Sequence, residues 1–381
     1  MSDTPILNRE QPPPAATLRK GRRGWLLLLL LVGAAIGGLL DFVDSDMLRI
    51  LPGAQALLIG FIPALYFSIL VHELGHVVAG LSSGFELRGL MVGAVLLTRQ
   101  AQGWKCRVIP RRILVGGLTA MVPASADRLV GRYIRLTLGG PGASTALLLI
   151  TWILMSIFPH SAGVRVLLLV NLLIVVTACL PYTWRSHASD GKLFLLLTRT
   201  GPAAERLAAM LYILALDAQH VEPRDWPQAL VEKMNLPTKD DAFLLNAIVF
   251  RYARALDTGD PERIAEAIEC ALSASQGTRP DVRRAFYAAA SFFQGFFRHD
   301  VRLAEAWLDD ARKVKGAVTP TDWDSRAMGA IALAKGQHTE ARACLTRYLA
   351  MLDRQPAGGM IAAERARTLD LLRRSSSVEG T

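Results

Sequence analysis

His72-Glu73-Leu74-Gly75-His76 is the stretch from which the rest of the chain is read. It lies inside a long apolar run, Ala54 to Leu81. Two imidazoles four residues apart on a helix stand roughly 40° from each other around the axis, so both reach one metal ion. Glu73 is then placed to take a proton from a water that the metal activates. H-E-x-x-H by itself is a moderately specific pattern. A soluble helix can carry it by chance, and a lone buried histidine is more often a core residue with a satisfied ring. At bilayer depth, however, two histidines and a carboxylate are costly. Such groups usually face a cavity and carry function.

The chain has 381 residues and is 51% hydrophobic, and nearly all of its long apolar runs fall in the first half. The second half is charged and helical in pattern. This contrast predicts a mainly α protein: a polytopic transmembrane helical domain with a membrane-associated β-hairpin, then a soluble α-helical, tetratricopeptide-like domain. The expected parts are a disordered basic N-terminal tail (1–24), a membrane domain of about four spans (25–200) and a helical repeat-like domain (201–381). The net charge is +10. The positive-inside bias of membrane loops explains that excess without a nucleic-acid partner. Cys106, Cys179, Cys270 and Cys344 are far apart, form no C-x-x-C pair and read as free thiols, with Cys179 buried in a span.

The tail is polar, with Pro12, Pro13 and Pro14 in a row. Arg19, Lys20, Arg22 and Arg23 precede an apolar run, Trp25 to Leu40. A cleaved signal peptide has the same outline. No small-x-small site follows the run before Asp41, so it reads as an uncleaved first span. Asp41, Asp44 and Asp46 mark the next loop as external. The histidine-bearing span follows, and after it comes a basic, cytoplasmic segment with Arg88, Arg99, Lys105, Arg107, Arg111, Arg112 and Arg128. Within it, Leu87 to Leu97 and Trp104 to Leu118 flank a turn at Gln100 to Gly103 and suggest a β-hairpin. A third span is expected over Ile134 to Phe158 and a fourth over Val164 to Leu180. Gly139-Gly140-Pro141-Gly142-Ala143-Ser144 should loosen the third and admit a close neighbour.

A catalytic zinc takes three protein ligands and leaves one position open. Asp190 is the preferred third ligand, because it follows the fourth span on the side where the second span ends. His187 is the nearest competitor, and His160 falls on the opposite side. An Asp-Gly pair such as Asp190-Gly191 is otherwise an ordinary turn.

Three pieces, His72 to His76 within a span, Gly139 to Ser144 in a later span and Pro181 with Asp190-Gly191 past the next, resemble the site-2 protease family of intramembrane zinc metalloproteases. The resemblance covers roughly residues 25 to 200. It implies that His72, His76 and Asp190 ligate zinc and that Glu73 is the general base. It also implies that the β-segment holds an unwound substrate as an added strand. Members usually carry an asparagine three residues before the proline. Here that position is Ala178, with Thr177 beside it and Asn171 further up.

From Gly201 onward three helix pairs look related: Asp241–Leu256 with Pro261–Ser273, Arg283–Phe297 with Val301–Lys313, and Asp324–Ala334 with His338–Met351. Gly336, Ala341, Leu345 and Tyr348 fall at tetratricopeptide-like offsets, and His299, Ala304, Leu308 and Ala311 repeat them. Gly259 with Ala265 is off by one. A stacked solenoid of this kind would bind a protein or peptide partner. The expected function is zinc-dependent hydrolysis of peptide bonds in or near transmembrane segments of membrane-protein substrates, in regulated proteolysis. The expected place is the cell membrane, multi-pass, with the N-terminus and the C-terminal domain cytoplasmic. The rival is a membrane-anchored scaffold or partner-binding protein acting through its helical repeats.

Overall fold

The structure is a computed structural model that describes residues 6–9, 11–12, 54–109, 116–184, 187–235, 243–275, 280–315 and 324–376. The expected first span and the external loop after it lie outside the described residues. Three helices are long and apolar enough to cross a membrane: α1 (Ala54–Ser82), α2 (Leu129–Ile157) and α3 (Ala162–Cys179). At 1.5 Å per residue they run about 27 to 43 Å, against a hydrocarbon layer of about 30 Å. Their large apolar side chains point outward, as Val78, Leu81, Leu149, Trp152 and Ile153 do. Their polar side chains point inward, with His72, Glu73, His76, Ser144 and Asn171 all buried. That inversion of the soluble pattern suits lipid as the solvent.

The glycine cluster does not loosen α2, which continues through Pro141. Its small residues act outward instead. A Cβ at Gly139 would lie 2.4 Å from the Gly75 carbonyl oxygen, and one at Gly75 would lie 2.3 Å from that of Gly139. The two helices therefore cross backbone to backbone. Cys179, expected inside a span, ends α3 and is exposed.

Between α1 and α2 the chain forms a sheet rather than the expected single hairpin. Its strands are β1 (Phe85–Val92), β2 (Val95–Gln100), β3 (Gly103–Val108) and β4 (Gly117–Pro123), all antiparallel in the order β3-β2-β1-β4. The run read as one strand, Leu87 to Leu97, contains its own turn at Gly93, whose φ of +54° favours glycine. A side chain there would overlap the ring of Tyr66. Arg132 binds the sheet's entry to α2: Nε donates to the Ser83 carbonyl and Nη2 to the Gly84 carbonyl, both at 2.6 Å. Those carbonyls belong to the end of α1, where a cation is favourable.

After α3 come the short strands β5 (Thr183–Trp184) and β6 (His187–Ala188), then α4 (Asp190–Thr198), α5 (Pro202–Ala218) and α6 (Gln228–Lys233). Leu207, Leu211 and Ala215 of α5 share a core with Phe85, Leu129 and Leu136, so the two halves are packed together. The remaining helices are α7 (Leu244–Thr258), α8 (Pro261–Ala274), α9 (Pro280–Phe296), α10 (Val301–Lys313), α11 (Asp324–Ala334), α12 (His338–Leu352) and α13 (Gly359–Ser376).

The first six of these helices form the three expected pairs. Each pair turns on an equivalent residue in the left-handed region: Gly259 at φ 71°, His299 at 55° and Gly336 at 73°. Five positions on, Ile264, Ala304 and Ala341 are all fully buried. Ile264 rather than Ala265 therefore takes the position in the first pair. The structure shows a repeated helical hairpin. Within the tail expected to be disordered, Ile6–Asn8 form a 3-10 turn and Leu7 is buried against α8 and α9.

Candidate metal centre

Two elements bring the three candidate donors together. α1 carries His72 and His76 one turn apart, with ring centroids 4.9 Å apart. α4 brings Asp190 at its first residue. Ser189 caps α4: its Oγ accepts from the Lys192 and Tyr182 amides and donates to the Leu180 carbonyl at 2.6 Å. Gly191 allows this approach, because a Cβ there would lie 2.0 Å from the Cys179 carbonyl oxygen. The Asp-Gly pair thus fits α4 tightly under the end of α3.

Asp190 Oδ2 lies 3.1 Å from His72 Nε2, and Oδ1 lies 3.4 Å from His76 Nε2. The two Nε2 atoms are 3.2 Å apart. One ligand atom from each residue falls within 4.8 Å of the others, and among the described residues only this group of His, Cys, Asp and Glu could hold a metal. His160 is exposed in the turn after α2, far along that helix from the site. His187 lies in β6, and its side chain is outside the described residues.

The outer ring nitrogens are occupied. His72 Nδ1 meets Ser144 Oγ at 2.9 Å, and His76 Nδ1 donates to the Leu136 carbonyl at 2.8 Å. With Nδ1–H of His76 so used, its Nε2 presents a lone pair inward. Two ring nitrogens and a carboxylate pointed at one place repel unless a cation lies among them, so the donor set suits a metal. Asn171 donates to the Ser144 carbonyl at 2.8 Å and so holds the residue that holds His72.

Glu73 is buried, and Thr119 Oγ1 of β4 donates to its Oε2 at 2.6 Å. β4 is pressed close: a Cβ at Gly117 would lie 2.0 Å from Glu73 Oε1. A Cβ at Gly140 would lie 2.3 Å from His76 Nε2 and 2.7 Å from His72 Nε2.

The family model of Peptidase family M50, the site-2 protease family, matches residues 60–352. The chain belongs to that family. No curated protein and no solved structure matches the chain. As an M50 protein it is a metallopeptidase of a zinc-dependent family of membrane proteins. The match runs past the membrane half into α12, so it covers most of the helical hairpins as well.

Sequence reasoning missed several supporting residues in this M50 chain. Thr119 carries no signal, because nothing in a short, mostly apolar strand says which residue meets α1. Ser144 and Gly140 stand in the glycine cluster, where the sequence marks them only as packing residues. Asn171 shows no partner in the sequence.

Proposed function

We propose that the chain is an intramembrane zinc metalloprotease that hydrolyses peptide bonds in or near the transmembrane segments of membrane proteins, in regulated proteolysis. In this reading it spans the cell membrane several times, with the N-terminus and the helical domain in the cytoplasm. His72, His76 and Asp190 hold zinc. Zinc, when held there, supplies Lewis acidity toward a peptide carbonyl and toward water. Glu73 is the general base, taking a proton from the attacking water and returning it to the leaving amine. Thr119 orients its carboxylate.

The observation that supports this reading most is the meeting of the three donors in an otherwise apolar helix bundle, with a buried glutamate one residue from a ligand. A purely structural site has no use for that base, and the scaffold alternative is not favoured. β4 lies at the sheet edge and against Glu73. A locally unwound substrate added along that edge would regain backbone partners beside the site. The helical domain, in the same reading, binds a protein or peptide that governs access.

The test is zinc content and cleavage in purified protein. Glu73→Gln keeps zinc and loses cleavage. His72→Ala and Asp190→Ala lose zinc. Zinc-replete Glu73→Gln that still cleaves would sink the mechanism. Leu118→Pro and Ala120→Pro in β4 are expected to keep zinc and impair cleavage, and cleavage at the normal rate would remove the edge-strand role.

A further inference from the structure

The first residues of the chain are separated from the helical hairpins by every apolar helix of the membrane half, yet they meet. Leu7 is 1% exposed and belongs to the same core as Ile264, Ile268 and Phe293. Its amide donates to Glu269 Oε1 of α8 at 3.3 Å, and its carbonyl accepts from Gln294 Nε2 of α9 at 2.5 Å. Gln294 is itself buried, at 3% exposure. One residue therefore has its side chain in an apolar socket and both backbone polar groups taken by side chains of two adjacent helices. This is how a peptide is recognised: the pocket selects the side chain, and the backbone contacts set the register. A buried glutamine amide needs such a partner, since an unmet one costs about 1–3 kcal/mol.

We infer that α8 and α9 form a peptide seat whose ligand is the chain's own segment Ile6-Leu7-Asn8, bound in cis. The seat ties the N-terminus to the helical domain and requires both to lie on one face of the membrane. An odd number of crossings between them would forbid the contact. On the membrane reading of α1, α2 and α3, which this step rests on, one more crossing must lie between residues 12 and 54. The apolar run Trp25 to Leu40 is the candidate in that region to supply it. The seat thus also requires that residues 6–8 stay attached rather than leave with a cleaved leader.

The test uses the full chain. A photo-crosslinking residue at position 6 is expected to give an intramolecular adduct with peptides from residues 261–296. Adducts between two chains, or with any other segment, would overturn the cis seat. A fluorescent peptide copying residues 4–12 is expected to bind Leu7→Asp protein at least about tenfold tighter than wild type, whose seat is filled. It should lose that binding when Glu269→Ala and Gln294→Ala are added. Equal binding to all three proteins would count against the seat. In cells, with the native cysteines replaced, Ser2→Cys and Thr381→Cys are expected to react with an impermeant maleimide from the same side. Labelling from opposite sides, or an intact mass lacking residues 6–8, would overturn the proposal while leaving zinc content and the Glu73→Gln result untouched.

Discussion

Gly75 on α1 and Gly139 on α2 meet with no side chain between them, each in the place where the other's Cβ would stand. This contact sets the distance between the helix that carries both histidines and the helix that carries Ser144. Replacing Gly139 by leucine forces the helices apart, and overpacking of this sort costs about 1–3 kcal/mol. Zinc content in purified Gly139→Leu protein is expected to fall well below wild type while helical circular dichroism persists. Gly142 has open space around its would-be Cβ, so Gly142→Ala should retain zinc. Equal zinc in both variants would contradict the crossing.

Ser144 steadies the His72 ring from behind. Partners of this kind usually matter about 10- to 100-fold in metal affinity. Ser144→Ala is expected to weaken zinc binding by about that factor in a chelator competition, with the fold retained. Asn171→Leu should act in the same direction through the Ser144 backbone.

Among the described residues, Thr119 is the one side chain that donates to the Glu73 carboxylate. A hydrogen bond to a charged group contributes about 1.5–3 kcal/mol. Thr119→Val is expected to lower kcat roughly 10- to 100-fold, with KM and zinc content unchanged. Thr119→Ser should restore most of the rate. A shift in KM with kcat intact would instead place Thr119 in substrate binding.

Glu364 of α13 offers a pH test away from the membrane. Burial pushes its carboxyl up, but Arg326 and Arg367 outweigh burial and hold it below the usual glutamate range. Arg326 Nη1 lies 2.7 Å from Glu364 Oε1, and Tyr348 donates to the same oxygen at 3.0 Å. A carboxyl depressed by folding stabilises the native state above its unfolded pKa, and the contribution is lost as pH falls through the folded value. Arg326→Met strands a buried charge and should destabilise by about 3–5 kcal/mol near neutral pH. That loss should shrink in acid, where Glu364 takes up a proton. Thermal unfolding of both proteins at neutral and acid pH measures it, and a loss that grows in acid would refute the assignment.

Much of this protein was legible in the amino-acid order, because the signals were local. Long apolar runs marked α1, α2 and α3 to within a few residues, except that α2 begins five residues before the expected Ile134. The i, i+4 spacing placed His72 and His76 on one face of one helix. The pairing of helices beyond residue 240 followed from repeated turn residues. The sheet was half read, since the turn at Gly93 hides in a Val- and Leu-rich run and β4 lies far from its partner β1 in sequence. What only the tertiary structure decided were the meetings across distance: Asp190 with the two rings, Thr119 with Glu73, Ser144 with His72, and Leu7 with α8 and α9. A helix face is dictated by a period of 3.6 residues within one segment. Which faces touch depends on where small residues let backbones approach, and that follows from the packing of all the segments at once.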